Sequence, residues 1–302
     1  MHPLKSPEKW HIALALVAGI FAISTSAIFI RLAIDAAGTR GVAFSLFLAA
    51  SRLTLASLLL LPVGFRLKSQ KISRQAVLFA VIAGACLALH FATWITSLSF
   101  TSIAASTTLV TTNPIWIALI SWLWFGEKPT KIARIGIAIA LCGGILIALG
   151  GGTADNTATN PLLGNVLALI GAWMVSLYIL CGREAQRKGL GTGGYAIIAY
   201  STSALLLFPF PLLFGSGYFN YPQPVYLYTI LIALIPQLIG HTSLNWSVRW
   251  VSPIFISLAI LFEPVGSSLL GFIFFKEIPG LPVLAGAAIL LSGVATAIWG
   301  SR

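Results

Sequence analysis

Charged residues are scarce in this chain. Only 8% of the 302 residues are Asp, Glu, Lys or Arg, whereas a soluble domain contains about 25%. Hydrophobic residues make up 58% of the chain, and the mean hydropathy is +0.96. A water-soluble fold of this length could not cover so much apolar surface. The composition therefore excludes a soluble globular protein and indicates that the solvent of this chain is lipid.

The sequence also lacks the common motifs of metal and covalent chemistry. Its three cysteines, Cys86, Cys142 and Cys181, form no CxxC pair, which argues against a disulfide framework or a structural zinc site. There is no HExxH and no GxSxG motif. The run from Gly189 to Gly194 fits the dinucleotide fingerprint, but it follows an apolar helix rather than a strand, so we interpret it as a linker. We expect no enzymatic activity, no metal ion and no cofactor.

Long apolar runs are the main feature that the sequence does contain. Each is about twenty residues long, enough to cross the hydrocarbon layer as a helix. The runs fall at 11–34, 42–65, 75–98, 102–125, 131–151, 161–182, 194–215, 224–248, 252–275 and 281–300. The links are short, so no separate soluble domain is expected. The sequence predicts an all-α integral membrane protein with ten transmembrane helices.

The net charge of +11 is unevenly distributed between the loops. With the N-terminus in the cytoplasm, fourteen Lys and Arg residues fall on the cytoplasmic side, and only Arg40 and Lys276 fall outside. This bias follows the positive-inside rule, so both termini are predicted to be cytoplasmic and nucleic acid is not an expected partner. The N-terminal apolar run is long enough to span the membrane, so we interpret it as a helix rather than a cleaved signal peptide.

An internal repeat divides the chain. Glu127 follows Pro114 by thirteen residues, and Glu277 follows Pro264 by the same interval, 150 positions later. The same shift superposes Gly143 on Gly293, and likewise other glycines of the fifth and tenth spans. Such a fixed offset indicates repeated architecture. We predict two five-helix repeats, residues 1–150 and 151–302, and because five is odd, the second repeat is inverted. Inverted repeats are typical of alternating-access transporters.

These residues carry a family resemblance. The paired Pro and Glu motifs, the glycine-spaced helices that follow them, Gly164 and Arg52 together resemble the drug/metabolite transporter superfamily and its ten-helix EamA type. The resemblance implies export of metabolites or amino acids from the bacterial cytoplasm by alternating access. The aromatic residues and paired histidines are also similar to the YddG-type branch, which exports aromatic and other neutral amino acids.

Polar side chains inside spans are candidate site residues, because they are costly in lipid. Two polar stripes have helical spacing. They comprise His90, Trp94 and Ser97 in the third span and Gln237, His241 and Asn245 in the eighth. We expect the stripes to line a central pathway, with Trp94 as a stacking surface. The alternative is that each histidine is neutral and satisfied by a neighbouring helix.

Asn113 and Glu263 occupy equivalent positions of the repeat, each directly before a proline. Glu263 is a candidate for binding a substrate amine or carrying a coupling proton, and its alternative is a scaffold role. Pro114 and Pro264 would each remove a backbone hydrogen bond within a helix, and we predict a hinge pair there. Further candidate lining residues are Trp116, Trp173 and Tyr178.

Three charged residues are predicted to act in structure or gating, namely Arg52, Glu127 and Glu277. Arg52 lies deep in the second span and needs a partner, whereas Arg31 lies nearer a span end and is expected to snorkel. Structural pairing or gating is the favoured role of Arg52, and recognition of a substrate carboxylate is its alternative.

The sequence thus predicts a secondary transporter in the bacterial inner membrane that exports small metabolites, above all aromatic or other neutral amino acids. An aromatic and hydroxylated lining with few fixed charges suits such solutes. Cationic-drug or nucleotide-sugar transport on the same fold, a passive channel and a membrane-embedded enzyme remain as alternatives. We expect a monomer surrounded by membrane lipid, with a small-molecule substrate.

Overall fold

The computed structural model describes residues 7–67, 72–125, 130–150, 159–251, 256 and 259–300, and their regular structure is entirely helical. The helices of the first half are α1 (Lys9–Ser24), α2 (Ser26–Ala37), α3 (Val42–Leu59), α4 (Leu61–Leu67), α5 (Arg74–Ser97), α6 (Ile103–Val110), α7 (Asn113–Phe125) and α8 (Lys131–Gly150). Those of the second half are α9 (Pro161–Arg187), α10 (Thr192–Leu207), α11 (Phe210–Leu213), α12 (Gln223–Ile232), α13 (Thr242–Ser247), α14 (Glu263–Phe275) and α15 (Leu281–Gly300), with a π-helical segment (Ala233–His241) between α12 and α13.

Seven helical stretches in the described residues are long and apolar enough to cross a membrane. They are Lys9–Ala37, Val42–Leu59, Arg74–Ser97, Ile103–Ile120, Pro161–Arg187, Thr192–Leu213 and Gln223–Ser247. The helices Glu263–Phe275 and Leu281–Ala297 are apolar but shorter. The prediction of an all-helical, multi-pass architecture is therefore confirmed, whereas the count of ten spans stays a prediction.

The fourth predicted span is broken in the middle. α6 ends at Val110, Thr111 and Thr112 form a turn, and α7 begins at Asn113. The same pattern precedes α14, where Leu261 and Phe262 form a turn before Glu263. Both prolines lie in the first turn of the helix that follows, where a missing N–H removes no helical hydrogen bond. The prolines therefore mark new helix starts after a break, rather than the interior of a bent helix.

The eighth predicted span is interrupted differently. A π-helical segment, Ala233–His241, separates α12 from α13 and contains Pro236. Longer π-helical stretches are rare, and short ones occur frequently at functional sites. The third span, its counterpart in the sequence repeat, is an uninterrupted α-helix from Arg74 to Ser97.

α8 and α15 pack with their backbones in contact. A Cβ atom added to Gly143 would collide with the backbone nitrogen of Leu290, and one added to Gly293 would collide with the backbone nitrogen of Ala140. Adding 150 to Gly143 gives Gly293, and subtracting 150 from Leu290 gives Ala140. The two contacts are therefore equivalent in the sequence repeat. Small residues allow such close approach between membrane helices. The glycine spacing therefore allows α8 and α15 to cross closely, with equivalent contacts made by each helix.

The centre of α5 is surrounded by other helices, because α5 packs against both α9 and α10. Gly171 of α9 faces it closely, with an added Cβ only 3.2 Å from the Cβ of Trp94. His90 and Trp94 are consequently 5% and 3% exposed. This packing places the polar stripe of α5 inside the bundle.

Candidate functional site

A central cavity of about 60 Å³ lies inside the helical bundle. Seven of the ten sequence-predicted binding residues line it, namely His90, Trp94, Asn113, Tyr178, His241, Asn245 and Glu263. They come from the third, fourth, sixth, eighth and ninth predicted spans. Hydrophobic side chains such as Val110, Val175 and Ile260 complete the wall. The fold thus brings polar groups from five predicted spans to one small space.

Three predicted binding residues lie elsewhere within the described part of the chain. Trp116 donates its Nε1–H to Thr112 Oγ1 at 3.1 Å, and its ring lies 6.5 Å from that of Trp173. Trp173 is 48% exposed on the protein surface. Gln237 is fully buried and accepts a hydrogen bond from Arg52. The structure therefore places these three outside the cavity lining, beside it or behind it.

The two histidines approach each other across the cavity. His90 Nδ1 lies 2.9 Å from the carbonyl oxygen of Gly171. Because a carbonyl only accepts, Nδ1 carries the proton, and Nε2 is the ring atom left for another partner. The His90 ring stacks on Trp94, and its centroid is 6.5 Å from that of His241. These rings form an aromatic wall that also carries hydrogen-bonding atoms.

Asn245 is held by two tyrosines and a glutamine. Its Nδ2–H₂ group donates to Tyr178 Oη at 2.6 Å and to Tyr200 Oη at 3.4 Å. Its backbone carbonyl accepts from Gln186 Nε2 at 3.0 Å. The amide donors of Asn245 are thus already used within the protein. Its position fixes α13 against α9 and leaves the Tyr178 ring as part of the cavity wall.

Two cavity residues have buried polar atoms without partners among the described residues. These atoms are Nδ2 and Oδ1 of Asn113 and Nε1 of Trp94. An unsatisfied buried donor or acceptor costs roughly 1–3 kcal/mol. The Asn113 backbone is nevertheless fixed, because its carbonyl accepts from Ser176 Oγ at 3.1 Å. A ligand that reaches these groups would displace no hydrogen bond within the described part of the protein.

Glu263 contributes a carboxylate to the same cavity. Its side chain is buried, with 8% exposure of the residue. Within the described residues it makes no hydrogen bond and no ion pair closer than 4 Å. A carboxylate in mid-membrane costs roughly 2.5–3.5 kcal/mol on insertion scales. The guanidinium of Arg52 is close enough to interact with it electrostatically. The Glu263 oxygens can therefore accept hydrogen bonds from a cationic or N–H-bearing solute.

Arg52 is fully buried behind this cavity. Its Nε–H donates to Gln237 Oε1 at 2.7 Å and its Nη1 donates to Ser26 Oγ at 2.9 Å. The guanidinium carbon lies 3.9 Å from the centroid of the Phe91 ring. Two neutral acceptors and an aromatic face thus hold the charge, and only Nη2 of the guanidinium has no hydrogen-bond partner among the described residues. The expectation that Arg52 needs partners agrees with this arrangement, which joins four helical segments.

Arg31 was expected to snorkel, and that expectation is wrong. The residue is 4% exposed, because it pairs with Glu277 at 4.0 Å and donates through Nη2 to the carbonyl of Thr101. Glu277 Oε1 in turn accepts the backbone N–H of Ile103 at 2.6 Å, at the start of α6. A span-end arginine can turn inward when a buried carboxylate is available. The equivalent residue Glu127 lies outside the described residues.

Hydroxyl pairs join the same end of the bundle. Ser97 and Ser106 approach to 2.6 Å between their Oγ atoms, and Ser45 and Ser99 approach to 3.1 Å. These side chains are buried. Together with the Arg31–Glu277 pair, they form a packed polar layer at one end of the cavity. Sequence reasoning placed Ser97 in the pathway, but its hydroxyl is engaged in this layer.

Sequence reasoning missed two cavity-lining hydroxyl residues, Ser26 and Thr111. Ser26 begins α2 directly after the bend at Thr25. Thr111 belongs to the turn that breaks the fourth predicted span. Most hydroxyls of that span bond carbonyls of their own helix, as Thr107, Thr108 and Thr111 itself do. The signal that could have distinguished Thr111 is its position just before Asn113 and Pro114.

Comparison with known proteins supplies the family. The profile of the EamA-like transporter family matches residues 9–149 and again residues 162–299. A solved structure described only as "Crystal structure of protein" is 20% identical, covers 98% of this chain and 99% of its own, and has a TM-score of 0.63. At that identity the likeness shows a shared fold alone.

Several similar proteins carry transporter names. The "Probable terminal-alkyne amino-acid exporter" of Streptantibioticus cattleyicolor is 25% identical over 186 residues, covering 62% of this chain and 61% of that protein. The "Uncharacterized transporter YdfC" of Bacillus subtilis is 25% identical over 198 residues, covering 64% and 61%. The alignments thus span about three fifths of these two relatives. An "Uncharacterized transporter" of Archaeoglobus fulgidus is 22% identical over 291 residues, covering 95% and 96%.

The matching profile describes a transporter family, and the relatives carry transporter names. These matches confirm the prediction of a non-enzymatic membrane protein. Together the two profile matches span nearly the whole chain. The resemblance inferred from the Pro and Glu motifs, the glycine spacing and Arg52 is therefore confirmed. The chain belongs to the EamA-like transporter family.

Proposed function

We propose that this protein exports aromatic and other neutral amino acids from the bacterial cytoplasm, across the inner membrane, by alternating access. The observation that carries the proposal is the pairing of unlike polar groups in one cavity. Glu263 offers a carboxylate without an ion-pair partner among the described residues, and Asn113 and Trp94 offer unpartnered N–H groups. An amino acid has the complementary groups.

In this proposal, each part of the amino acid bonds or packs against a different group of the cavity. The α-ammonium group bonds the Glu263 carboxylate, as a charge-assisted hydrogen bond. The α-carboxylate accepts hydrogen bonds from Asn113 Nδ2 and Trp94 Nε1. An apolar or aromatic side chain packs on the ring surfaces of His90, Trp94 and Tyr178. Orientation thus comes from the two polar ends, and affinity for neutral amino acids comes from the rings.

The size of the cavity favours a small solute. Its volume of about 60 Å³ has room for roughly four to six water molecules, whereas pockets for drug-sized ligands measure about 300–1,000 Å³. Even an amino acid requires the cavity to widen. Such widening is what alternation between two open states would supply.

The proposal includes ten spans arranged as two inverted five-helix repeats, residues 1–150 and 151–302, with both termini in the cytoplasm. The reciprocal contacts of Gly143 with Leu290 and of Gly293 with Ala140 support it. A two-fold axis relating the halves would produce such paired contacts. We propose that a monomer is the transporting unit, because five predicted spans of the same chain contribute to the cavity lining.

The moving parts of the proposal are the two helix breaks. The turns Thr111–Thr112 and Leu261–Phe262 precede Pro114 and Pro264, and they lack the continuous hydrogen bonding of a helix. We assign them as the hinges. The Arg31–Glu277 pair, which also engages the start of α6, is assigned as the outer gate, and opening that end requires its separation. Arg52 is assigned a structural role behind the site.

The relative from Streptantibioticus cattleyicolor supports an amino-acid substrate, because its name describes an exporter of a terminal-alkyne amino acid. That protein is similar over part of its length only. The choice of neutral amino acids for this chain rests on the cavity.

The test is uptake into inverted membrane vesicles, whose cytoplasmic face points outward. The panel contains labelled phenylalanine, leucine, glutamate, a nucleotide sugar and a quaternary ammonium drug. We expect saturable uptake of phenylalanine and leucine that exceeds uptake of the others and is lost in Glu263→Gln. Uptake that is linear in concentration for all solutes would instead indicate a passive channel.

The Glu263 carboxylate also keeps cationic-drug transport as a second candidate. The same vesicles distinguish the two, because a cationic drug has no carboxylate group that Asn113 would bind. Asn113→Ala would then leave drug uptake unchanged, whereas our proposal expects it to weaken phenylalanine uptake. Drug uptake above phenylalanine uptake, insensitive to Asn113→Ala, would replace amino-acid export by cation export.

A further inference from the structure

A second cavity opens at the end of the bundle where α9 and α13 terminate. Its volume is about 500 Å³, and it is lined by Arg183, Gln186, Arg187, Val248, Arg249 and Trp250. We call it the basic pocket, after its three arginines. No cavity residue that we assigned to solute binding lies in it. The basic pocket is therefore a separate feature of the transporter.

The charge of the basic pocket is only partly compensated. Arg187 pairs with Glu184 at 3.2 Å. Arg183 and Arg249 form no ion pair with any described residue. The Arg249 guanidinium lies 5.5 Å from the centroid of the Trp250 ring. Two of the three arginines of the basic pocket thus lack an ion-pair partner among the described residues, which suits the pocket to an anion.

A buried donor points to the same conclusion. The indole Nε1 of Trp250 is inaccessible and has no hydrogen-bond partner in the described part of the chain. Trp250 is also a lining residue of the basic pocket, so its unsatisfied N–H suits an oxyanion ligand once the indole turns that N–H towards the pocket.

The basic pocket adjoins the central cavity. Val248 lines both. Gln186 of the basic pocket donates to the backbone carbonyl of Asn245, whose side chain belongs to the central cavity. One residue layer therefore separates the two spaces. In the proposed topology the basic pocket lies on the cytoplasmic side, where an exported solute enters.

We propose that the basic pocket binds the carboxylate group of the transported solute before the solute enters the central cavity. This inference rests on the proposed function and deepens it. A solute first meets two arginines and then the Glu263 carboxylate, so efficient transport requires both a carboxylate and an ammonium group. Simple cations are disfavoured at the entrance, and simple anions are disfavoured at Glu263. Zwitterions satisfy both sites in sequence.

The variants that test this are Arg183→Gln and Arg249→Gln, singly and together. Arg134→Gln is the matched control, because Arg134 is exposed near the start of α8 and lies outside the basic pocket. In inverted vesicles at low salt, we expect the double variant to raise the KM for phenylalanine about tenfold, within the range of electrostatic steering, with kcat changed less than twofold. Arg134→Gln should match the wild type.

Two further measurements make the transport test more specific, namely the salt dependence of the KM and inhibition by an amide analogue. The wild-type KM should rise as salt screens the arginines, whereas that of the double variant should change little. Phenylalanine amide, a cation that lacks the carboxylate, should inhibit the double variant at least as strongly as the wild type, because the arginines repel it. Equal weakening of phenylalanine and phenylalanine amide by the double substitution, or an unchanged KM for phenylalanine, would overturn the proposal.

A binding measurement separates this inference from the proposed function. The purified protein in phosphatidylcholine nanodiscs is titrated with 3-phenylpropionate, a carboxylate without an ammonium group, while tryptophan fluorescence is recorded. We expect a saturable change in wild type and Arg134→Gln that is lost in the double variant and in Trp250→Phe. Absence of that change in the wild type would refute the basic pocket even if phenylalanine is transported. Carboxylate binding without amino-acid transport would refute the proposed function and leave the pocket as an anion site.

The same titration distinguishes a lipid headgroup from a solute carboxylate. It is repeated in nanodiscs that contain phosphatidylglycerol. Unchanged affinity for 3-phenylpropionate supports a solute site. Loss of 3-phenylpropionate binding in phosphatidylglycerol, together with a phenylalanine KM that depends on this lipid in wild type only, would assign the pocket to an anionic lipid and overturn the proposal.

Discussion

The third and eighth predicted spans have corresponding positions in the sequence repeat, yet their backbones differ. α5 is a regular helix from Arg74 to Ser97, whereas the eighth span contains the π-helical segment Ala233–His241. His90 lies within regular helix, and His241 ends the π-helical segment. A π-helical turn changes the direction of the side chains that follow it. The two halves therefore present their histidines to one cavity from unlike backbones.

Asn113 and Glu263 show the opposite relation, because here the backbones agree and the side chains differ. Each begins a helix after a two-residue turn, so their backbones are alike. Their side chains differ in charge, with a neutral amide in one half and an acid in the other. The two comparisons teach that the halves differ in two separate ways, because unlike backbones present like histidines in one pair of spans and like backbones present unlike side chains in the other.

The largest expected effect concerns a shared feature. Gly143→Ala places a methyl group against the backbone nitrogen of Leu290, and overpacking of this kind costs about 1–3 kcal/mol and occasionally more. We expect a clear loss of thermal stability in detergent, and an equal loss for Gly293→Ala. Gly144→Ala is the control, because its added Cβ meets nothing closer than 3.8 Å. A stable Gly293→Ala beside a destabilised Gly143→Ala would break the equivalence of the halves.

The next effect concerns the groups that differ. Glu263→Gln removes a charge-assisted bond to the solute, so kcat/KM for phenylalanine uptake should fall about 10- to 100-fold. Asn113→Ala removes a neutral bond and should cost about 2- to 10-fold. Initial rates in inverted vesicles, normalised to protein amount, measure both. Equal losses would mean that the two positions are not specialised.

Pro236→Ala tests the difference in backbone between the third and eighth predicted spans. Alanine restores a backbone N–H and favours a regular α-helix, which would turn His241 away from its present direction. We expect about a tenfold loss of kcat/KM, because small misplacements of binding groups are costly, with thermal stability maintained or improved. Unchanged transport would show that the π-helical segment does not set the position of His241.

The smallest expected effect comes from a comparison of substitutions at two tryptophans, Trp94 and Trp173. Trp94→Phe keeps an aromatic face in the cavity but removes the unpartnered Nε1–H, so the KM for phenylalanine should rise about 2- to 10-fold. Trp173→Phe should leave it unchanged, because Trp173 is largely exposed and outside the lining. A larger effect at Trp173 would restore the sequence-based assignment of that residue to the pathway.

Much of the fold was predictable from hydropathy, and its interruptions were not. The predicted third span 75–98 agrees with α5, Arg74–Ser97. The predicted sixth span 161–182 continues as α9 to Arg187, because a helix can extend beyond the apolar layer. The break at Thr111–Thr112 and the π-helical segment occur inside apolar runs, where mean hydropathy is the same for either backbone. Their signals are Pro114 and Pro236, and a proline alone does not specify which distortion follows.

The site was predictable where polarity was unusual for its surroundings. His90, Trp94, His241 and Glu263 stand out in apolar spans, and they do line the cavity. Gln237 and Arg52 stand out equally, but they bond each other. A sequence shows that a buried polar group needs a partner, and it does not show whether that partner is a solute or a side chain. Arg31 was misplaced for the same reason, because its partner Glu277 is 246 residues away.

Counterflow tests the central claim most directly. Proteoliposomes are loaded with unlabelled phenylalanine and diluted into a trace of labelled phenylalanine without any ion gradient. Alternating access predicts a transient accumulation of label above equilibrium, present in the wild type and much reduced in Glu263→Gln. Equilibration without an overshoot, at a rate linear in concentration and equal in both proteins, would contradict the claim that this cavity carries neutral amino acids by alternating access.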